Sequence, residues 1–197
     1  MDSSQIVLLG ESIVMGDLKV TPIRVEQREI KYHYDNRSWD VATSPKPALV
    51  LTLECENLSK DVSFAPNDLS FNRKWKANDR NLYPESRKPY TFLEMGKVRF
   101  YGGPCDWNKD VWSGKEPRVF VVGQRHRDLM RPGEKMEILV TTDPDDPEVL
   151  ETLEQFPENG RLLWRVQLRR GLVRINNYEV SATCFIGVRF TKDQIVK

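Results

Sequence analysis

The sequence predicts an all-β protein, a two-layer antiparallel β-sandwich with long loop insertions and one short helix. Three observations carry that expectation. Many short segments alternate apolar and polar residues with the two-residue period of a half-buried strand. The 12 prolines and 11 glycines divide them by frequent turns. No βα repeat of the kind that builds a doubly wound parallel sheet is visible. At 197 residues the chain is long enough for one substantial core and marginal for two. A single domain is therefore expected over residues 20–197, with residues 1–19 as an N-terminal extension or first edge strand.

Between residues 20 and 34 the apolar phase changes. Ile23 and Val25 share one parity, whereas Ile30, Tyr32 and Tyr34 share the other, and a bulge or bend would reconcile them. Pro45 and Pro47 then interrupt the chain. Leu49, Leu51, Leu53 and Cys55 alternate with Val50, Thr52 and Glu54, a strand with one inward face, and Asn57-Leu58-Ser59-Lys60-Asp61 is the turn after it. Residues 64–90 lack a steady period and form an irregular insertion, with Phe64, Leu69, Phe71 and Trp75 available to pin it to the body. Residues 90–95 and 98–101 make a hairpin about Gly96-Lys97, ended by Gly102-Gly103-Pro104. A second irregular insertion follows over residues 105–116.

The strand-like Val119, Phe120, Val121 and Val122 precede the turn Arg131-Pro132-Gly133-Glu134. Beyond it Met136, Ile138 and Val140 form an inward row, and these two elements are expected to pair as neighbours. One helix starts at Asp146-Pro147, an N-cap followed by proline at the first helical position, with Val149, Leu150, Leu153 and Phe156 on its apolar side. Pro157 and Gly160 stop it. In the last third Trp164, Val166 and Leu168 face one way and Arg165, Gln167 and Arg169 the other, until Arg170-Gly171 bends or bulges the chain. Asn176-Asn177 is a turn candidate. Val180, Ala182, Cys184, Ile186, Val188 and Phe190 then read as a single long inward row.

Several of these stretches resemble a known group. Leu129-Met130-Arg131-Pro132-Gly133-Glu134-Lys135-Met136-Glu137, with the strand from Leu49 to Cys55 and its Asn57 turn, is similar to the edge-turn pattern of immunoglobulin-like sandwich domains in uncharacterised bacterial proteins. Leu163-Trp164-Arg165-Val166-Gln167-Leu168-Arg169-Arg170-Gly171 and Ala182-Thr183-Cys184-Phe185-Ile186-Gly187-Val188-Arg189-Phe190 resemble planctomycete proteins carrying such a domain. The resemblance covers residues 20–190. It implies an immunoglobulin-like sandwich and no particular activity.

Charge and cysteine usage limit the function classes. Thirty Lys plus Arg stand against 29 Asp plus Glu, a net charge of +1, so bulk electrostatics give no reason to expect a specific nucleic acid or an anionic membrane as partner. Cys55, Cys105 and Cys184 do not make a disulfide framework and are compatible with the cytoplasm. The start Met-Asp-Ser-Ser-Gln lacks the basic residues and apolar run of a secretion signal, and no window reaches the length of a membrane-spanning helix. A secreted or membrane-anchored protein trimmed of its leader would read the same way.

Candidate chemistry is sparse. His33 and His126 lie far apart and belong to no metal-ligand spacing, and Cys105 after Gly102-Gly103-Pro104 has no sequence-local base, so neither a catalytic site nor a cofactor is expected. The acidic run Asp143-Pro144-Asp145-Asp146-Pro147-Glu148 lacks the spacing and turn glycine of a calcium loop, and Asp146 is accounted for as a helix cap. Arg161, Arg165, Arg169, Arg170 and Arg174 follow it without an intervening acid. Arg165 and Arg169 share a strand face and are the candidate anion-binding pair, with pairing to the acidic run as the plainest alternative. Trp75, Tyr83, Trp107 and Trp112 sit in the aperiodic insertions, next to Arg73, Lys74 and Lys76. Large rigid aromatics with flanking cations suit a protein interface. The expectation is a non-enzymatic interaction or assembly module binding a protein partner or itself. A hydrolase with a loop-formed cleft and a carbohydrate-binding module are the alternatives.

Overall fold

The computed structural model describes residues 5–34, 37–67, 91–101, 119–124, 128–144, 146–176 and 178–197. The strands are β1 (Ile6–Leu8), β2 (Ile13–Met15), β3 (Leu18–Arg28), β4 (Lys31–Tyr34), β5 (Arg37–Thr43), β6 (Ala48–Asn57), β7 (Phe92–Met95), β8 (Val98–Tyr101), β9 (Val119–Val121), β10 (Lys135–Thr141), β11 (Arg161–Ile175), β12 (Tyr178–Thr191) and β13 (Ile195–Val196). The helix α1 spans Pro147–Gln155. The chain is thus predominantly β with one α-helix among the described residues.

Alternation in the sequence becomes sheet wherever an apolar row can meet another. The first sheet has the order β1-β12-β11-β7-β8, and the second has β10-β6-β3, with β2 and β13 both on the free edge of β3. A smaller sheet has the order β5-β4-β9. Pairing is antiparallel except at two edges, where β1 runs parallel to β12 and β13 parallel to β3. The antiparallel expectation is corrected there for a topological reason. Antiparallel order follows from tight turns, whereas β1 and β13 reach their partners after the chain has changed sheets.

One core joins the two larger sheets. Leu162, Trp164, Val166 and Leu168 of β11 and Cys184, Ile186, Val188 and Phe190 of β12 share it with Leu49, Leu51, Leu53 and Cys55 of β6 and Met136, Ile138 and Val140 of β10. The Trp164 and Phe190 ring centroids are 6.4 Å apart. Burying each large apolar side chain contributes about 1.5–3 kcal/mol, so this row is the main source of stability. A satellite core of Ile30, Ala48, Val50 and Val121 lies between the second sheet and the smaller one. It explains why β6 is buried on both sides at Leu49, Val50 and Leu51.

Local chemistry fixes the ends of elements. The Asp146 side chain accepts from the Glu148 N–H at 3.1 Å and Pro147 occupies the first turn, which starts α1. The Lys192 ammonium donates to the Glu154 and Phe156 carbonyls at 3.1 and 3.2 Å, a cation at the negative end of the helix. The buried Asn57 side chain donates to the Val62 and Met130 carbonyls at 2.7 and 2.9 Å and accepts from the Ser59 N–H, which closes the expected turn from inside. In the 131–134 turn the Glu134 N–H donates to the Arg131 carbonyl, with Gly133 at φ +76°.

Three readings of the sequence are corrected. The bulge between Pro22 and Arg24 turns Ile23 outward, away from the row of Val25. β9 pairs with β4, not with β10; the Gln124 side chain reaches β10, accepting from the Leu139 N–H at 2.7 Å. The inward row of β12 stops at Cys184, with Ala182 half-buried and Val180 exposed, because the hairpin runs past the sheet opposite it.

Candidate functional site

The outer side of the first sheet gathers arginines. β11 turns Trp164, Val166 and Leu168 into the core, so Arg161, Arg165 and Arg169 are carried to the other side, where Arg165 and Arg169 are half-buried. The register sets Arg165 beside Phe92 and Leu163 beside Glu94, and in the next strand Glu94 beside Arg99. Arg189 lies opposite Leu163 on β12, and Phe185 opposite Gln167. Glu94 is the single acid on this side among the described residues, and it holds the Arg99 Nε at 3.2 Å.

Phe92 is the floor of the cluster. It faces outward yet is only 4% exposed, with the Arg99 guanidinium 4.9 Å and the Arg165 guanidinium 5.2 Å from its ring centroid. Cation–π attraction contributes about 0.5–2 kcal/mol to such contacts and holds both cations over the ring. The Arg165 Nε is buried without a hydrogen-bond partner among the described residues. A buried guanidinium N–H left unpaired is costly, so this donor is suited to an oxygen brought in from outside.

The insertion over residues 64–90 begins and ends beside this cluster. The Arg169 N–H donates to the Pro66 carbonyl at 2.8 Å, and the Gln167 N–H donates to the Thr91 hydroxyl at 3.1 Å. Both ends are therefore held along the edge of β11, next to the arginine row. The second insertion departs after Tyr101, whose backbone pairs with Phe92. The candidate interface residues Arg73, Lys74, Trp75, Lys76, Tyr83, Trp107 and Trp112 lie outside the described residues, as do Cys105 and His126.

The remaining sequence candidates are not brought together. His33 sits on β4, paired with Val41 and Phe120, far in the topology from the arginine row. Cys55 and Cys184 are buried free thiols in the main core. Burial pushes the Cys184 thiol up to about 11 and the Cys55 thiol still higher, so both are held protonated and unreactive. Among the described residues no cluster of three or more His, Cys, Asp or Glu could hold a metal ion. Of the acidic run and its neighbours, Glu158 pairs with Lys192 at 3.0 Å. A cleft of about 200 Å³ between α1 and the last strand is lined by Gln27, Leu150, Leu153, Glu154, Lys192, Ile195 and Lys197, without a nucleophile or paired carboxylates. No helix among the described residues is long and apolar enough to cross a membrane.

Phe92 and Arg99 were not legible as site residues. Their strands were visible as a hairpin, but only the pairing of β7 with β11 brings Phe92 to Arg165, and no local pattern encodes that partner.

Fold and site together define a β-rich chain with a cationic, aromatic-floored sheet surface. No family model matches the chain, and no curated protein matches it. Among solved structures, the yjhA protein from Bacillus subtilis is similar at a TM-score of 0.41 and 10% identity, covering 91% of this chain and 97% of that one. A likeness of that degree transfers neither fold type nor function.

Proposed function

We propose that the protein is a non-enzymatic interaction or assembly module, an immunoglobulin-like β-sandwich that binds a protein partner. The resemblance of residues 20–190 to bacterial immunoglobulin-like domains belongs to the same proposal. The contact surface is the outer side of the first sheet with the insertions 64–90 and 105–116 that leave from its edge. The observation that carries the reading is the pair of guanidiniums over Phe92, one of them with a buried N–H awaiting an acceptor. Carboxylates of an acidic segment would satisfy that fork, since arginine recognises planar oxyanions bidentately. Trp75 and Trp112, with Arg73, Lys74 and Lys76, supply aromatic anchors and further cations from the insertions.

The test is to purify the full chain with its partner and measure affinity by calorimetry for three proteins: the wild type, Arg165→Ser/Arg169→Ser and Trp75→Ala/Trp112→Ala. Each double variant is expected to bind about ten-fold or more weakly, and wild-type binding to weaken as salt is raised. Unchanged affinity in both variants with the fold intact would remove this surface from the function.

A further inference from the structure

The two larger sheets are drawn together at one corner. The Leu58 N–H, just past the end of β6, donates to the Asp17 carbonyl at 2.7 Å, and the Asp17 N–H donates to the Arg170 carbonyl of β11 at 3.0 Å. A single residue thus links the backbone at the end of one sheet to the bulge of the other. A second link lies beside it. The Asn57 side chain donates to the Met130 carbonyl, Phe64 pairs with Met130, and two residues beyond Phe64 the Pro66 carbonyl accepts from the Arg169 N–H at 2.8 Å.

The inward row of each sheet runs from large residues to a cysteine as it nears this corner. On β6, Leu49, Leu51 and Leu53 lead to Cys55, three residues before Leu58. On β12, Phe190, Val188 and Ile186 lead to Cys184, which lies opposite Leu168, two residues before Arg170. At about 3.3 Å per residue, Cys55 and Leu168 sit about 10 and 7 Å back from the linked backbones, at similar depth on facing sheets. Both thiols are free, buried and part of one core. Their electrostatics agree with that placement. Burial is the main push on the Cys55 thiol and the charge of Cys184 the next, while Arg170, at the link, opposes the effect of burial on Cys184.

We propose that Cys55 and Cys184 are a disulfide pair, joined across the core when the chain folds in the presence of a small-molecule disulfide such as oxidised glutathione. A disulfide needs its two Cα atoms within about 7 Å, closer than the ~10 Å between ordinary packed sheets, so it suits a corner where the layers converge on short side chains. The thiolate of one cysteine attacks the donor disulfide and releases one glutathione thiolate. The other then attacks the mixed disulfide and releases the second. The two protein thiols lose two electrons and two protons, and one oxidised glutathione becomes two reduced ones. Exchange needs a thiolate within reach, and the finished core offers neither thiolate nor access. The bond therefore forms before the first sheet is laid on the second, and a chain folded without the donor keeps both thiols. Once made, the bond is enclosed and closes the long loop from residue 55 to residue 184, the case in which a crosslink restrains the unfolded chain most.

The test is to refold the full chain from urea with reduced and oxidised glutathione, or with dithiothreitol alone, and to map unreduced peptides by mass spectrometry. The expected product of the first refolding carries a peptide crosslinked between Cys55 and Cys184, and its unfolding constant is about a hundred-fold or more below that of the reduced chain. Cys105→Ser forms the same crosslink, and native reduced protein given oxidised glutathione leaves Cys55 and Cys184 free. Crosslinks to Cys105, or glutathione left on both Cys55 and Cys184, overturn the pairing. A crosslinked chain no more stable than the reduced one overturns it too, because the corner then does not accommodate the bond. Oxidation as fast in the native protein as in the unfolded chain overturns the formation of the bond during folding.

Discussion

The two halves of the β11–β12 hairpin share one alternating pattern and meet opposite fates. From Leu162 to Leu168 and from Cys184 to Phe190 the apolar row is 0–5% exposed. Beyond the bulge, in the arm of the hairpin, Val173 and Ile175 of β11 and Tyr178 and Val180 of β12 are 38–76% exposed. The difference lies across the core: the first half faces β6 and β10, and the second has run beyond them. A two-residue period therefore reports which side of a strand is apolar and says nothing about whether another layer covers it.

Mutations can break that comparison. The largest effect is expected from Trp164→Ala, which removes a 1%-exposed side chain packed on Phe190 and should lower stability by about 3–5 kcal/mol in urea unfolding. Tyr178→Ala removes a side chain of similar bulk from the arm. It should shift stability by less than about 0.5 kcal/mol. Equal losses would show that the arm is covered within a single chain.

Alkaline pH probes the buried half next. Cys184 has its pKa raised from 9.0 to about 11, so the folded state keeps a proton that the unfolded state has released. Stability from this source is complete below pH 9.0 and is lost as pH rises through about 11. The loss amounts to about 2–3 kcal/mol, at 1.36 kcal/mol for each unit. Cys55 is shifted in the same direction by deeper burial, and Lys135 by its hydrogen bond to Glu54. Comparing Cys184→Ala with the wild type removes the Cys184 part together with the push it exerts on Cys55; identical pH profiles would mean the thiol is not held in the core.

The boundary between the halves gives a smaller effect. Gly171 has φ +120°, and a Cβ there would lie 2.7 Å from the Asp17 carboxylate. Gly171→Val should therefore cost about 1–3 kcal/mol and loosen the arm from the β2–β3 turn. Hydrogen exchange at residues 172–181 checks it: faster exchange confined to those residues is expected, and unchanged protection would mean the bulge does not fasten the arm.

What the sequence showed follows the range over which each feature is encoded. The rows of β6 and β11, the Asp146-Pro147 helix start, the Gly96-Lys97 turn and the Arg170-Gly171 bulge are local and were readable from residues within a few positions of one another. The partner of β9, the parallel edges and the uncovered arm are set by residues far apart in the chain. The site divides the same way. The shared side of Arg165 and Arg169 follows from alternation alone, whereas Phe92 and Arg99 join them only through the β7–β11 register. The tryptophans and cations of the two insertions lie outside the described residues, so their part in the surface rests on the binding test.

The parallel edges govern the order of assembly during synthesis. β10, β6 and most of β3 can zip together once the ribosome has released residue 141, yet Ile6–Leu8 must wait for Gly187–Arg189, and Val25–Glu26 for Ile195–Val196. Until then a nascent chain displays the apolar side of its second sheet with no first sheet to lay upon it. Chaperones that shelter exposed strands would have their work in that interval, and slow folding from such distant pairings is the cost of weaving both edges last.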